Sequence, residues 1–179
     1  MYRSAVLQRL IPRISLYAAT TIPYEIRSSI HGKPDIILYP NGNIALKSWR
    51  NRKGYLHNVR GPAEIKFNLR GQKTMESWYK NGKRNRVNKP ALIIYGPDGF
   101  PSREVWYSNG TKSKEHFYNN NQLIKQRWFD KEGKRHRSKK QGPAEITYRP
   151  GSSPRNITEK LYFNHGKRIR ESTPRINRP

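Results

Sequence analysis

The residues best equipped for chemistry in this chain are its cations, and they come in clusters. Gly82-Lys-Arg-Asn-Arg86, Gly133-Lys-Arg-His-Arg137-Ser-Lys-Lys140 and Gly166-Lys-Arg-Ile-Arg170 are versions of one basic segment. Lysine and arginine donate to phosphate and carboxylate oxygens, arginine often through two parallel bonds, so the chemistry on offer is anion recognition. The candidate contacts are Lys83, Arg84, Arg86, Lys134, Arg135, Arg137, Lys139, Lys140, Lys167, Arg168 and Arg170. The whole chain agrees: 37 Lys+Arg stand against 12 Asp+Glu, a formal charge of +25. A surface built only for solubility mixes both signs, whereas an excess of this size attracts polyanions. The candidate partners are acidic protein surfaces, nucleic acid or an anionic membrane.

Catalytic chemistry finds less support. Asp98 and Asp130 sit in turn-like sequence, where aspartate is favoured for backbone reasons, and Asp35 stands alone. Glu76, Glu104, Glu115 and Glu159 recur at one position of a repeat. A catalytic site needs different residues in distinct roles, so a column of identical glutamates reads as cross-strand partners for Lys or Arg. His31, His57, His116, His136 and His165 are scattered without zinc-ligand spacing, and the chain has no cysteine. No GxxxxGK[ST] phosphate loop is present. The expectation is a non-enzymatic protein with no metal, cofactor or small-molecule substrate.

Two interleaved motifs must position the cations. One is Glu-x-Trp-Tyr-x-Asn-Gly-Lys, as Glu76 to Lys83 and Glu104 to Gly110, with looser copies around Phe117, Trp128 and Leu161 and a degenerate one at Trp49. The other is Pro-Ala-x-Ile-x-Tyr, as Pro90 to Tyr95 and Pro143 to Tyr148, with Pro62 to Phe67 and Pro34 to Tyr39 as variants. Fixed-period self-similarity indicates stacked repeat units. The second motif alternates at period two, as a half-buried strand does. Asn81-Gly82, Asn109-Gly110 and Asp98-Gly99 are hairpin signals. Phe67 to Trp78, Tyr95 to Trp106, Trp106 to Phe117 and Phe117 to Trp128 are each steps of 11 residues. The constant step predicts about ten strands and an aromatic ladder in which each ring lies beside the last. By strand alternation, Tyr79, Tyr107, Tyr118 and Tyr162 then point away from that ladder. The basic segments lengthen the step between Trp78 and Tyr95 and between Trp128 and Tyr148, which places them on one edge of the sheet. With 33% hydrophobic residues, a thin extended sheet is expected rather than a thick core.

The units Trp78-Tyr-Lys-Asn-Gly-Lys-Arg-Asn-Arg86 and Trp128-Phe-Asp-Lys-Glu-Gly-Lys-Arg-His-Arg137, each leading to Pro-Ala, resemble the variant MORN repeats of bacterial, phage and large DNA virus proteins. The resemblance covers about residues 34 to 170. It implies an elongated single-layer β-sheet that serves as a scaffold, docks proteins or lies near phospholipid. The connectors depart from the usual Arg-x-Asp-Gly-Pro-Ala: here they read Arg137-Ser-Lys-Lys-Gln-Gly142-Pro-Ala144 and Arg86-Val-Asn-Lys-Pro90-Ala91. An acid is lost and bases are gained, which favours an anionic partner.

The expected fold is therefore an all-β antiparallel repeat meander. A basic N-terminal arm, short helix or targeting-like segment (1–30) precedes the repeat domain (31–170), and a basic tail (171–179) follows. Residues 1 to 24 carry Arg3, Arg9 and Arg13, no acid, and apolar Val6, Leu7, Leu10, Ile14 and Tyr17 near helical spacing. That has the character of a mitochondrial transit peptide. The expected role is a structural component of a larger assembly, a virion or nucleoprotein particle, in the virion or inside a host cell. The alternatives are a direct DNA- or RNA-binding protein and a mitochondrial, ribosome-associated protein.

Overall fold

The computed structural model of the chain describes residues 24–26, 32–151 and 156–170. Twelve strands form one antiparallel sheet, each hydrogen-bonded to the next in chain order. They are β1 (Tyr24–Ile26), β2 (Asp35–Leu38), β3 (Ile44–Ser48), β4 (Glu64–Phe67), β5 (Lys73–Ser77), β8 (Leu92–Tyr95), β9 (Pro101–Ser108), β10 (Thr111–Asn119), β11 (Gln122–Trp128), β12 (Glu145–Tyr148), β13 (Ile157–Asn164) and β14 (Lys167–Ile169). Two further strands, β6 (Tyr79–Lys80) and β7 (Lys83–Arg84), make a small separate ribbon. The all-β meander expected from the repeats is present. Its first strand starts at Tyr24, ahead of the expected boundary at residue 31. The rest of the expected N-terminal arm or helix and the 171–179 tail lie outside the described residues.

The turns follow from their sequences. Asn109-Gly110, Asn120-Asn121, His165-Gly166 and Asn81-Gly82 each form a two-residue loop with positive φ at both positions. That geometry matches the right-handed twist of the flanking strands and is cheapest for Asn and Gly. Asp98 and Asp130 are turn residues as expected: Asp98 Oδ1 accepts from Phe100 N at 3.1 Å, and Asp130 Oδ1 from Glu132 and Lys134 N, both at 2.9 Å.

One bulge recurs in every second hairpin. Ala45, Thr74, Ser102, Ile124 and Thr158 are each an extra residue that the register steps over. An extra residue of this kind bends its strand and re-aims neighbouring side chains. Just beyond three of these bulges, Tyr95, Tyr118 and Tyr148 donate from Oη to Glu76, Glu104 and Gln126, each at 2.6 Å.

The sheet carries no thick core. Ala63, Ala91, Leu92, Val105, Ala144, Tyr148 and Phe163 are buried, together with the polar Ser48, Ser77, Glu115 and Glu145. The alanine of each Pro-Ala motif is buried because the chain returns to the sheet there. Ala63, Ala91 and Ala144 each accept from the N–H of Trp49, Trp78 and Trp128, at 2.8, 2.8 and 2.9 Å.

The aromatic ladder is not formed as expected. Trp106 pairs with Lys114, and Lys114 with Trp128, so a cation stands between two rings. Phe117 lies on the other face, between Arg103 and Arg127 at 5.3 and 5.0 Å. The reason is strand reversal. Neighbouring antiparallel strands run in opposite directions, so two steps are needed to return to the same row, and one step lands elsewhere on the sheet. For the same reason Tyr118 is not opposite the tryptophans: it shares their face and meets His116, which packs on Trp106 at 4.5 Å between centroids.

Candidate anionic-partner interface

Every connection from an odd-placed strand of the meander to the next leaves from the same edge. The long connectors fold there into short hairpins. One is closed by the bridge Arg50–Leu56, one is the β6–β7 ribbon, and one is closed by the bridge Phe129–Arg135. With the tips Asn109-Gly110 and His165-Gly166 they form a row held by backbone bonds. Gly82 N donates to Leu56 O, Gly110 N to Arg84 O, and Gly166 N to Arg135 O, each at 2.9 Å, while Phe129 N donates to Ser113 O at 2.9 Å. The glycines permit the approach: a Cβ at Gly110 would meet Lys83 Cβ at 3.6 Å, and one at Gly166 would meet Lys134 Cβ at 3.6 Å, at φ values of 91° and 86°. Shallow grooves of about 400 and 320 Å³ separate the tips on either side of Asn109.

The eleven candidate cations thus share one edge, but they divide into two groups. Four arginines turn inward. Arg84 lies between Tyr79 and Tyr107 at 5.4 and 5.5 Å. Arg86 covers Trp78 at 3.7 Å and donates to Pro90 O at 3.2 Å. Arg137 repeats this over Trp128 at 4.0 Å, donating to Pro143 O at 3.4 Å. Arg135 sits over Phe163 at 4.0 Å and binds Glu145 at 3.0 Å. These contacts clamp the connectors onto the sheet. Burial lowers the Arg86 pKa, with Glu76 opposing, as expected for a guanidinium drawn onto a ring.

The others face solvent. Lys83, Lys139, Lys140, Lys167, Arg168 and Arg170 are exposed, and Lys134 is exposed but bound to Glu132 at 2.8 Å. Lys139 and Lys140 are presented on a single 3₁₀ turn, Lys139–Gln141. His136 stacks on His165 at 4.3 Å, and His165 reaches Asp130 at 2.7 Å.

Two carboxylates, by contrast, are held inside the sheet. Glu115 is ion-paired with Arg103 and approached by Lys112 and Arg127 at 3.8 and 3.9 Å. Glu145 binds Arg127 at 2.9 Å, Arg135 at 3.0 Å and Lys125 at 3.4 Å. Burial opposes ionisation of Glu145, but the hydrogen bonds from Arg127 and Arg135 prevail and hold its carboxyl below its ordinary value. The glutamates expected to share one column therefore divide. Glu76 and Glu104 accept from tyrosines on one face, and Glu115 joins the arginines on the other. With these acids engaged and the outer cations other than Lys134 without an ion pair among the described residues, the edge presents a positive surface.

No family model matches the chain, and no curated protein shows significant similarity to it.

Residue-by-residue reading overlooked the first connector. Arg50, Arg52, Lys53 and Arg60 belong to the same row as the candidate cations, and they line an open cleft of about 780 Å³ with Trp49, Tyr55 and His57. The signal was the degenerate copy itself: Trp49-Arg-Asn-Arg-Lys-Gly54 keeps the aromatic, the basic run and the glycine, but lacks the second aromatic that follows Trp78 and Trp128 in the others.

Proposed function

We propose that this chain is a non-enzymatic β-repeat scaffold that docks an anionic partner surface along its connector edge, as a structural component of a larger assembly. The observation that carries the reading is the row of stacked hairpins whose outward cations, Lys134 with its Glu132 partner apart, have no ion pair among the described residues. Many individually weak contacts along such a row sum to avidity without a deep pocket. The reading assigns docking to Lys83, Lys134, Lys139, Lys140, Lys167, Arg168 and Arg170, and connector clamping to Arg84, Arg86, Arg135 and Arg137. The likeness of the units to variant MORN repeats supports a scaffold, and their presence in viral proteins supports a virion or nucleoprotein particle as the setting. Direct nucleic-acid binding is a second reading, favoured by the exposed tyrosine in the first-connector cleft.

The test is a titration of the full chain with labelled duplex DNA, single-stranded DNA and a polyglutamate chain over about 50–200 mM salt. Tight binding to at least one polyanion, weakening steeply with salt, is expected. Failure to bind any of the three at the lowest salt would sink the proposal. The polyanion held most tightly names the class of the partner surface.

A further inference from the structure

The first hairpin of the edge row differs from the rest. Among the described residues it has a hairpin neighbour on one side only, the β6–β7 ribbon, and its other side opens into the cleft of about 780 Å³. That size lies within the roughly 300–1,000 Å³ typical of ligand clefts. Among the described residues its lining holds Arg50, Arg52, Lys53 and Arg60 and no carboxylate. Arg50 is engaged, with Asp35 at 3.5 Å and Gly54 O at 2.9 Å. Arg52, Lys53 and Arg60 are exposed, with no ion pair among the described residues.

Tyr55 is the second part of the site. It is held from one side, because a Cβ on Gly82 would meet its Cδ1 at 3.3 Å. Even so it remains 54% exposed, a large aromatic left in solvent beside three cations. The other edge tyrosines, Tyr79 and Tyr107, are occupied by Arg84. His57 adds a donor: its Nδ1 accepts the Asn81 N–H at 3.2 Å, so the neutral ring carries its proton on Nε2.

We infer that this cleft binds single-stranded nucleic acid, with a base stacked on Tyr55 and backbone phosphates held by Arg52, Lys53 and Arg60. A tracking line of cations beside an open aromatic is the recognition logic of single-strand binders, since unpaired bases offer free π faces and duplexes do not. The inference rests on the proposed docking of polyanions and narrows it to one ligand at the first of the three long connectors. An acidic protein would use the cations but would leave the aromatic without a stacking partner.

The test compares labelled oligo-dT with a duplex of equal length, using the full chain and the variants Tyr55→Leu, Tyr55→Phe and Lys139→Ser/Lys140→Ser. Tyr55→Leu should weaken oligo-dT binding by about tenfold and duplex binding by less than about twofold. Tyr55→Phe keeps the ring and should restore single-strand affinity. Lys139→Ser/Lys140→Ser should weaken both ligands alike. Ultraviolet crosslinking of the unaltered chain to 5-bromouracil-substituted oligo-dT gives a readout that needs no variant, and adducts are expected on the peptide carrying Tyr55. Equal loss of single-strand and duplex affinity in Tyr55→Leu, or crosslinks confined to other segments, overturns the inference. Binding to polyglutamate alone also overturns it while the docking proposal stands. Binding to no polyanion removes both.

Discussion

His116 shows how a single residue reports the electrostatics of its face. Tyr148 donates to Gln126 Oε1 at 2.6 Å, and Gln126 Nε2 lies 2.8 Å from His116 Nε2. His116 Nδ1 lies 3.3 Å from the Tyr118 hydroxyl, which donates to Glu104 at 2.6 Å. The chain of donors is complete only if His116 is neutral, with its proton on Nδ1. Burial, reinforced by Lys114, lowers its pKa from 6.5 to about 4. A depressed pKa contributes stability that is fully present above the unfolded value and is lost as pH falls toward the folded one. The urea midpoint should therefore drop between about pH 6.5 and about pH 4, and His116→Asn should flatten that part of the profile relative to the unaltered chain. An identical pH profile in His116→Asn would show that the ring does not carry the effect.

The connector is the element that sets the site, and its stability comes from the clamp rather than from a core. In two connectors an arginine lies over the tryptophan that starts the unit and donates to the proline carbonyl that ends it. The first connector solves the same problem with Asn58, whose Nδ2 donates to Pro62 O at 2.9 Å. Arg86→Ala should cost ~1–3 kcal/mol in denaturant unfolding, from the lost cation–π contact and hydrogen bond. Lys139→Ser/Lys140→Ser, on an exposed turn, should stay within about 0.5 kcal/mol of the unaltered chain. Equal effects from the two variants would show that Arg86 does not clamp. The clamp was only half legible beforehand. Arg86 and Arg137 stood out as cations, but nothing in the local sequence distinguishes an arginine that folds back on Trp78 from a lysine that faces water.

At the scale of the molecule, the meander sorts charge. Glu115 and Glu145 pair within the sheet, and a run of exposed cations lines one edge. Phosphate binding releases counterions, with a slope against log salt of about 0.9 per neutralised phosphate on B-DNA. Lys139→Ser/Lys140→Ser should reduce that slope for a duplex ligand by roughly 1–2. An unchanged slope would mean that these lysines do not touch the polyanion.

Sequence alone determined that the chain is an array of short antiparallel strands. Turn chemistry and period-two alternation are local, and Asn109-Gly110 closes a hairpin whatever lies around it. Sequence also determined that two basic segments fill long connectors and a third follows a hairpin turn, so their common edge followed from topology. What only the tertiary structure decided was the fate of each side chain. A step of 11 residues looks constant along the chain, but the register pairs Trp106 with Lys114 rather than another ring, and Phe117, three residues further on, points to the opposite face. Hairpin stacking likewise decided that Arg84 is enclosed by two tyrosines while Tyr55 packs against Gly82 and stays 54% exposed. Such contacts depend on register and on which hairpins stack together, and neither is a property of a local stretch of sequence.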